Sequence, residues 1–210
     1  AYTGLAEGAH TFRVRATDPG GNTDPTPATH TWTIDFSAST NLVVLADADA
    51  TVASGSPDAN FGGAASLVAD LKPLEHVHIR FTVTGAGGGV ERATLRLFAF
   101  DATPDGPRVF PTGNAWYESA ITWNNRPAET GPALADGGNV PRNTWVEYDV
   151  TAAVTGDGAY SFALVPDSAN GVDFYARTAS SGLVPELVLE IASSGAPPQT
   201  TIGSGPPDPS

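Results

Sequence analysis

The chain has 210 residues, enough for one domain of ordinary size and a fragment of another. Its 23 glycines and 18 prolines, beside only 10 Lys and Arg, describe many short strands joined by tight turns, so an all-β protein is the first expectation. The formal net charge of −13 argues against nucleic acid and anionic membrane surfaces as partners and favours cations such as Ca²⁺, while the lack of cysteine excludes disulfides, thiol nucleophiles and cysteine-ligated zinc.

No apolar run approaches the roughly 18 residues of a membrane span, and no charged-then-apolar leader is present, so membrane insertion is not expected. Methionine is absent as well. The expectation is a piece of a longer precursor, extracellular or at the cell surface.

In residues 1–36, Phe12, Val14 and Ala16 alternate with Arg13, Arg15 and Thr17, and Trp32 and Ile34 alternate with Thr31, Thr33 and Asp35. Each run is a strand with one face for a core, and Asp18-Pro19-Gly20-Gly21-Asn22 between them is a turn. The run from Leu5 to Trp32, with Glu7-Gly8, His10-Thr11-Phe12 and Gly21-Asn22, resembles the closing strands of a bacterial immunoglobulin-like repeat. Residues 37–42 read as a linker. From Val43 to Ala192 strand-like segments follow one another with turn signals between them, the spacing of a sandwich or jelly roll. His76–Thr84 is the cleanest: Val77, Ile79, Phe81 and Val83 face one way, His76, His78, Arg80 and Thr82 the other. Ala93–Phe100, Thr144–Val150, Tyr160–Val165, Val172–Arg177 and Glu186–Ile191 are further strands, with Thr151 as the expected N-cap of a short turn. Between them, Trp116–Pro127 (WYESAITWNNRP) is the densest stretch, a loop folded against a core as a plug or a site. The Pro- and Gly-rich tail 193–210 reads as a linker, and its Pro197–Pro206 run resembles the first strand of a following immunoglobulin-like domain.

Several runs of the central segment resemble the DNRLRE-type domain, related to family 96 carbohydrate-binding modules and to disaggregatase-related domains. They are Asp49–Val52, Pro57 with Asn60-Phe61-Gly62, His78–Phe81, Ala93–Leu97, Trp116–Glu118 with Ile121–Pro127, Trp145 with Asp149–Thr151, Arg177, and Pro185–Leu187. The resemblance implies a secreted β jelly roll that binds polysaccharide in some members. Thr178 stands where the family usually carries Glu after Arg177, which unsettles any role of such a pair here.

Three groups of residues carry candidate chemistry. His76, His78 and Arg80, with Arg96 on the strand expected next, would make a basic strip for carboxylates or sulfates of an anionic polysaccharide; the plain alternative is a solvated polar face, or an Arg80 buried against the Trp116 loop. Tyr148 and Tyr175, each with polar neighbours, are candidate sugar platforms or else core tyrosines, and Arg177 joins the carbohydrate-binding set. Asp47, Asp49, Asp58 and Asn60 are candidate Ca²⁺ ligands, or ordinary surface acids and turn residues, with Asp18, Asn22 and Asp24 as a further such group. No acid–base pair, HExxH or GxSxG frame is present, so no catalysis is expected. The function these features favour is a non-catalytic polysaccharide-binding module. The alternative is a spacer or filament subunit, whose partners would be neighbouring immunoglobulin-like repeats or copies of itself.

Overall fold

The computed structural model describes Leu5 and residues 8–34, 39–87 and 89–192. The chain divides into a small unit that contains the N-terminal hairpin and a large unit spanning residues 40–191. In the hairpin, β1 (Gly8–Val14) pairs antiparallel with β2 (Ala28–Ile34), placing His10 opposite Trp32. β1 ends at Val14, earlier than its alternation through Thr17 predicts. The Asp18 carboxylate accepts the Asn22 backbone N–H and side-chain amide, both at 2.9 Å, and Asp24 accepts from Thr26. These acids serve their own turns, which is the turn alternative to the expected ion site. Residues 35–38 and the tail 193–210 lie outside the described residues.

The large unit consists of β3 (Ser39–Leu45), β4 (Ala48–Ala53), β5 (Ser66–Leu71), β6 (Leu74–Val83), β7 (Val90–Ala99), β8 (Arg108–Thr112), β9 (Ala135–Asp136), β10 (Thr144–Asp149), β11 (Gly158–Val165), β12 (Val172–Tyr175) and β13 (Glu186–Ala192). A 3₁₀ turn, Thr151–Ala153, follows β10. In the first sheet β7 is flanked by β10 on one side and by β13 and β12 on the other, with β3 beyond β13 and β5 beyond β12. In the second, β6 is flanked by β4 and β11, and β8 and β9 continue from β11. β5 enters both, because its hairpin with β6 closes at Leu71 and Leu74 while its other edge pairs β12. All the described ladders are antiparallel, and the unit is an all-β sandwich of the jelly-roll kind. The linker expected at 37–42 is strand from Ser39 onward, since β3 joins the first sheet beside β13.

Period-two alternation fills the space between the sheets. Val77, Ile79, Phe81 and Val83 of β6 meet Leu95 and Leu97 of β7, Phe162 and Leu164 of β11, and Leu187 and Leu189 of β13, all essentially without exposure. Tyr148 of β10 belongs to the same core. Two hydrogen bonds stitch an edge shut: Thr51 Oγ1 of β4 accepts the Val68 N–H at 2.9 Å, and Asp49 Oδ2 accepts the Arg177 N–H at 2.6 Å. Val150, not Thr151, stands at the N-cap of the turn after β10, and Asp149 Oδ1 just before it accepts from the Thr151 N–H at 3.0 Å and hydroxyl at 2.6 Å.

The second sheet is covered on its outer side as well, so all of β4 is buried. Ala48, Ala50 and Val52 project outward there into a second apolar cluster whose other members, Trp116 and Ile121, come from the Trp116–Pro127 loop. The Trp116 indole N–H donates to Ser161 Oγ of β11 at 3.1 Å. Asn60 donates from its one amide to the carbonyls of Glu118 and Ile121, each at 2.7 Å, and Asn124 reaches Asp58 at 2.8 Å. The loop is a plug, and Gly62 lets it seat: a Cβ at that position would lie 2.1 Å from the Glu118 carbonyl oxygen. Gly62→Ala is therefore expected to destabilise the sandwich by about 3 kcal/mol, the upper end of the cost of overpacking. Chemical denaturation followed by tryptophan emission, with limited proteolysis within 113–130, measures it; an unchanged midpoint and an uncleaved loop would contradict the seating.

Candidate functional site

Most of the residues that the sequence nominates for binding lie beneath the plug. His78 is 0 % and His76 7 % exposed, their rings edge-on to Trp116 and Trp123 at 6.3 and 5.1 Å. The histidines on the polar face of β6 are thus not open to solvent, because the loop lies across them, while Thr82 at the far end of that face is exposed. Arg80 donates to Asp47 Oδ1 at 2.7 Å and to the Trp116 carbonyl at 2.8 Å, with its guanidinium 5.3 Å from the Trp116 ring. Nor does Arg96 continue this strip. It is on β7 in the first sheet, while β6 is in the second.

The expected Ca²⁺ ligands are engaged in the same latch. Asp47 is held by Arg80 and by the Thr82 hydroxyl at 2.6 Å, Asp58 by Asn124, and Asn60 by the loop carbonyls. Asp49 is buried against the Arg177 N–H. Among the described residues no group of three or more His, Asp or Glu side chains is placed to hold a metal ion. Arg177 forms a two-pronged pair with Glu118, at 2.6 and 2.7 Å, and Glu118 also accepts the Asp49 N–H at 3.1 Å. Glu118 is thus the carboxylate partner of Arg177, and the following residue is Thr178. Burial opposes ionisation of Glu118, but its bonds from Arg177 and Asp49 and the Arg177 and Arg80 charges hold its carboxyl below the usual range.

The outer face of the first sheet is the open one. Residues of β7 at alternate positions, Arg92, Thr94, Arg96 and Phe98, with Phe100 just beyond the strand, project there while Leu95 and Leu97 go to the core. In register, Phe98 lies opposite Trp145 of β10, and Phe174 of β12 lies opposite Ala99, which brings Tyr175 between Phe98 and Phe100. The rings form a row: Trp145 to Phe98 at 5.5 Å, Phe98 to Tyr175 at 6.0 Å, Tyr175 to Phe100 at 4.8 Å. All four are half-buried. One step along the strands a polar row crosses the same face, with Arg96 3.0 Å from Glu147 of β10 and 3.1 Å from Glu186 of β13. The Arg96 guanidinium also sits 4.6 Å from the Trp145 ring, and a shallow hollow lined by Arg92, Thr94, Arg96, Glu147, Val188 and Glu190 adjoins it.

Of the expected set, the face therefore includes Arg96 and Tyr175 and lacks Tyr148. The Tyr148 side chain is fully buried, its hydroxyl pushed to a high pKa by burial and by the Asp136 charge. Sequence reasoning missed Trp145, Phe98, Phe100, Glu147 and Glu186. The alternation Arg96-Leu97-Phe98-Ala99-Phe100 was the available signal, since it puts an arginine and two aromatics on one side of a strand.

The plug makes stability depend on pH. Burial pushes the imidazole of His76 down to about 4, aided by Arg126 and opposed by Glu129, and that of His78 to about 3, aided by His76 and Arg126. Among the described residues, His76 Nδ1, at 3.6 Å from Glu129, makes no hydrogen bond, and neither ring nitrogen of His78 has a partner. Burial, joined by the Glu118 charge and opposed by the Arg177 N–H, raises Asp49 to about 6 from 3.8. Between pH 6 and 5 the unfolded chain holds two histidine protons that the fold refuses, whereas the fold holds one Asp49 proton that the unfolded chain has lost. The balance favours unfolding on acidification, by about 1 kcal/mol per pH unit. Denaturant midpoints at pH 6 and 5 are expected to fall in that order for the wild type and not for His76→Gln/His78→Leu; equal slopes in both proteins would remove the histidines from the explanation.

Among the described residues no helix is long and apolar enough to cross a membrane. No curated protein matches the chain closely enough to count as a relative. The sequence model of carbohydrate-binding module family 96 matches residues 40–191, the whole of the large unit and well over half of the chain, and the chain belongs to that family.

Proposed function

We propose that the large unit is a non-catalytic, extracellular polysaccharide-binding module that holds its ligand on the outer face of the first sheet. The observation that carries this reading is the row Trp145, Phe98, Tyr175 and Phe100 beside Glu147, Arg96 and Glu186. A sugar ring offers an apolar C–H face and a rim of hydroxyls. A half-buried aromatic row takes the first and a row of charged donors and acceptors takes the second. Three neighbouring strands extend the row over about 10 Å, on the scale of a disaccharide. Membership of a carbohydrate-binding family supports the ligand class. Among the described residues the plugged second sheet offers no comparable aromatic row.

The edge strand β3 favours a second reading, in which the module also serves as a spacer or filament subunit. Val43 and Leu45 are 51 and 57 % exposed on that strand at the end of the first sheet. An edge with open apolar side chains is a template for another chain.

Trp145→Ala is expected to weaken retention on a soluble polysaccharide by about tenfold, or ~1.4 kcal/mol, in affinity electrophoresis across a panel of polymers. Tyr117→Ala, at a 77 % exposed residue of the plug loop, is the control and is expected to bind as the wild type. Equal losses in the two variants, or none in Trp145→Ala, would place the site elsewhere.

A further inference from the structure

We infer that Arg142 contacts the ligand directly and holds a pair of neighbouring sugar oxygens at the Phe100 end of the aromatic row. The inference rests on the reading of this face as the glycan site and adds the residue that fixes where along the row a sugar unit comes to rest. Aromatic rings give a sugar stacking area but little register, because one C–H face resembles the next. Register needs donors held in place beside the rings.

The arginines of the large unit differ in what their guanidinium groups have left to offer. Arg80 lies against Asp47, Arg92 against Glu190, Arg96 between Glu147 and Glu186, Arg108 against Asp167 and Arg177 against Glu118. Arg126 is stacked 3.6 Å from the Trp123 ring and donates to the Trp123 carbonyl. Arg142 is exposed. Among the described residues it has no carboxylate oxygen within 4.0 Å and makes one hydrogen bond, from Nε to the Phe100 carbonyl at 2.9 Å. That bond fastens the side chain beside Phe100 and leaves both terminal nitrogens, Nη1 and Nη2, with no partner among the described residues. The Phe100 ring has Tyr175 of β12 at 4.8 Å, so it lies between a second platform and a fork of free donors.

The backbone keeps this arrangement in place. Arg142 and Asn143 form the turn that leads into β10, where Trp145 comes to lie opposite Phe98. Pro141 has its φ fixed by its ring, and among the described residues Asn143 alone of the non-glycines adopts a left-handed φ, at 59°. Asparagine tolerates that conformation well. The guanidinium is therefore positioned before a ligand arrives, which lowers the entropy lost on binding. Its two terminal nitrogens are spaced for two oxygens at once, either adjacent hydroxyls of one sugar ring or the two oxygens of a uronic acid carboxylate.

The test measures retention of the whole chain on galactomannan, a mixed-linkage glucan, polygalacturonate and alginate by affinity electrophoresis at two salt concentrations. On a polymer that retains the wild type and releases Trp145→Ala, Arg142→Ala is expected to bind about tenfold more weakly, ~1.4 kcal/mol. Arg142→Lys, which keeps the charge and loses the fork, is expected to fall nearly as far. Asn143→Gly keeps the left-handed turn and is expected to bind as the wild type, whereas Asn143→Val, which adopts it only with strain, falls with Arg142→Ala. A loss in Arg142→Ala that shrinks as salt rises assigns the two oxygens to a carboxylate, and one unmoved by salt assigns them to a hydroxyl pair. Arg142→Ala or Arg142→Lys retained as the wild type, while Trp145→Ala is released, would overturn the contact and leave the site standing. So would a denaturation midpoint that falls in Arg142→Ala, since an exposed contact residue is not needed for the fold. No retention of the wild type by any of the four polymers, or retention indifferent to Trp145→Ala, would overturn both.

Discussion

Glu118 is the residue through which the plug, the second sheet and the end of β12 are joined. Its carboxylate takes two bonds from Arg177 and one from the Asp49 N–H, while its carbonyl takes the Asn60 amide. A carboxylate with that many donors is worth removing from water, because the alternative to pairing at a partly buried position is a stranded charge. With Glu118 held, Trp116 and Ile121 drop onto Ala48, Ala50 and Val52, and the histidine end of the polar side of β6 is closed. His76 and His78 are carried below the surface with it. They remain neutral there, their charge too costly to keep so far from water.

This latch gives the two outer faces of the sandwich different uses. The second sheet spends its polar residues on internal bonds, so residues that look like a binding strip serve packing. Among the described residues the first sheet carries no such cover on the Trp145 row, and its ion pairs run between neighbouring strands in plain register. Its chemistry is that of an acidic surface crossed by an aromatic row.

Much of the fold was legible in the chain. The alternation of Val77, Ile79, Phe81 and Val83 predicts β6 and its core face, and the runs around Leu95, Tyr160 and Leu187 become strands where expected. The motif runs shared with the family were legible too, although their meaning was not. Asn60, Gly62, Arg80, Glu118, Ile121, Asn124 and Arg177 turn out to hold the plug in place. A motif marks residues that a fold needs; whether it needs them for a ligand or for a latch depends on what stands opposite them in space.

The sequence by itself determined strand positions, the inward face of each strand and family membership, because these follow from period-two patterning and local turn chemistry. It also contained the answer for Tyr148, since its acidic neighbours Glu147 and Asp149 point to the opposite face of the same strand, and adjacency in the chain is separation across a sheet. Only the tertiary structure decided which sheet each strand joined. That placed Arg80 and Arg96 on different sheets, buried both histidines under a loop some forty residues downstream, and assembled the Trp145 row from three strands far apart in the chain. The physical reason is that strand partnership in a jelly roll is set by long connections and by which apolar faces can close on each other, and neither is encoded in any single strand.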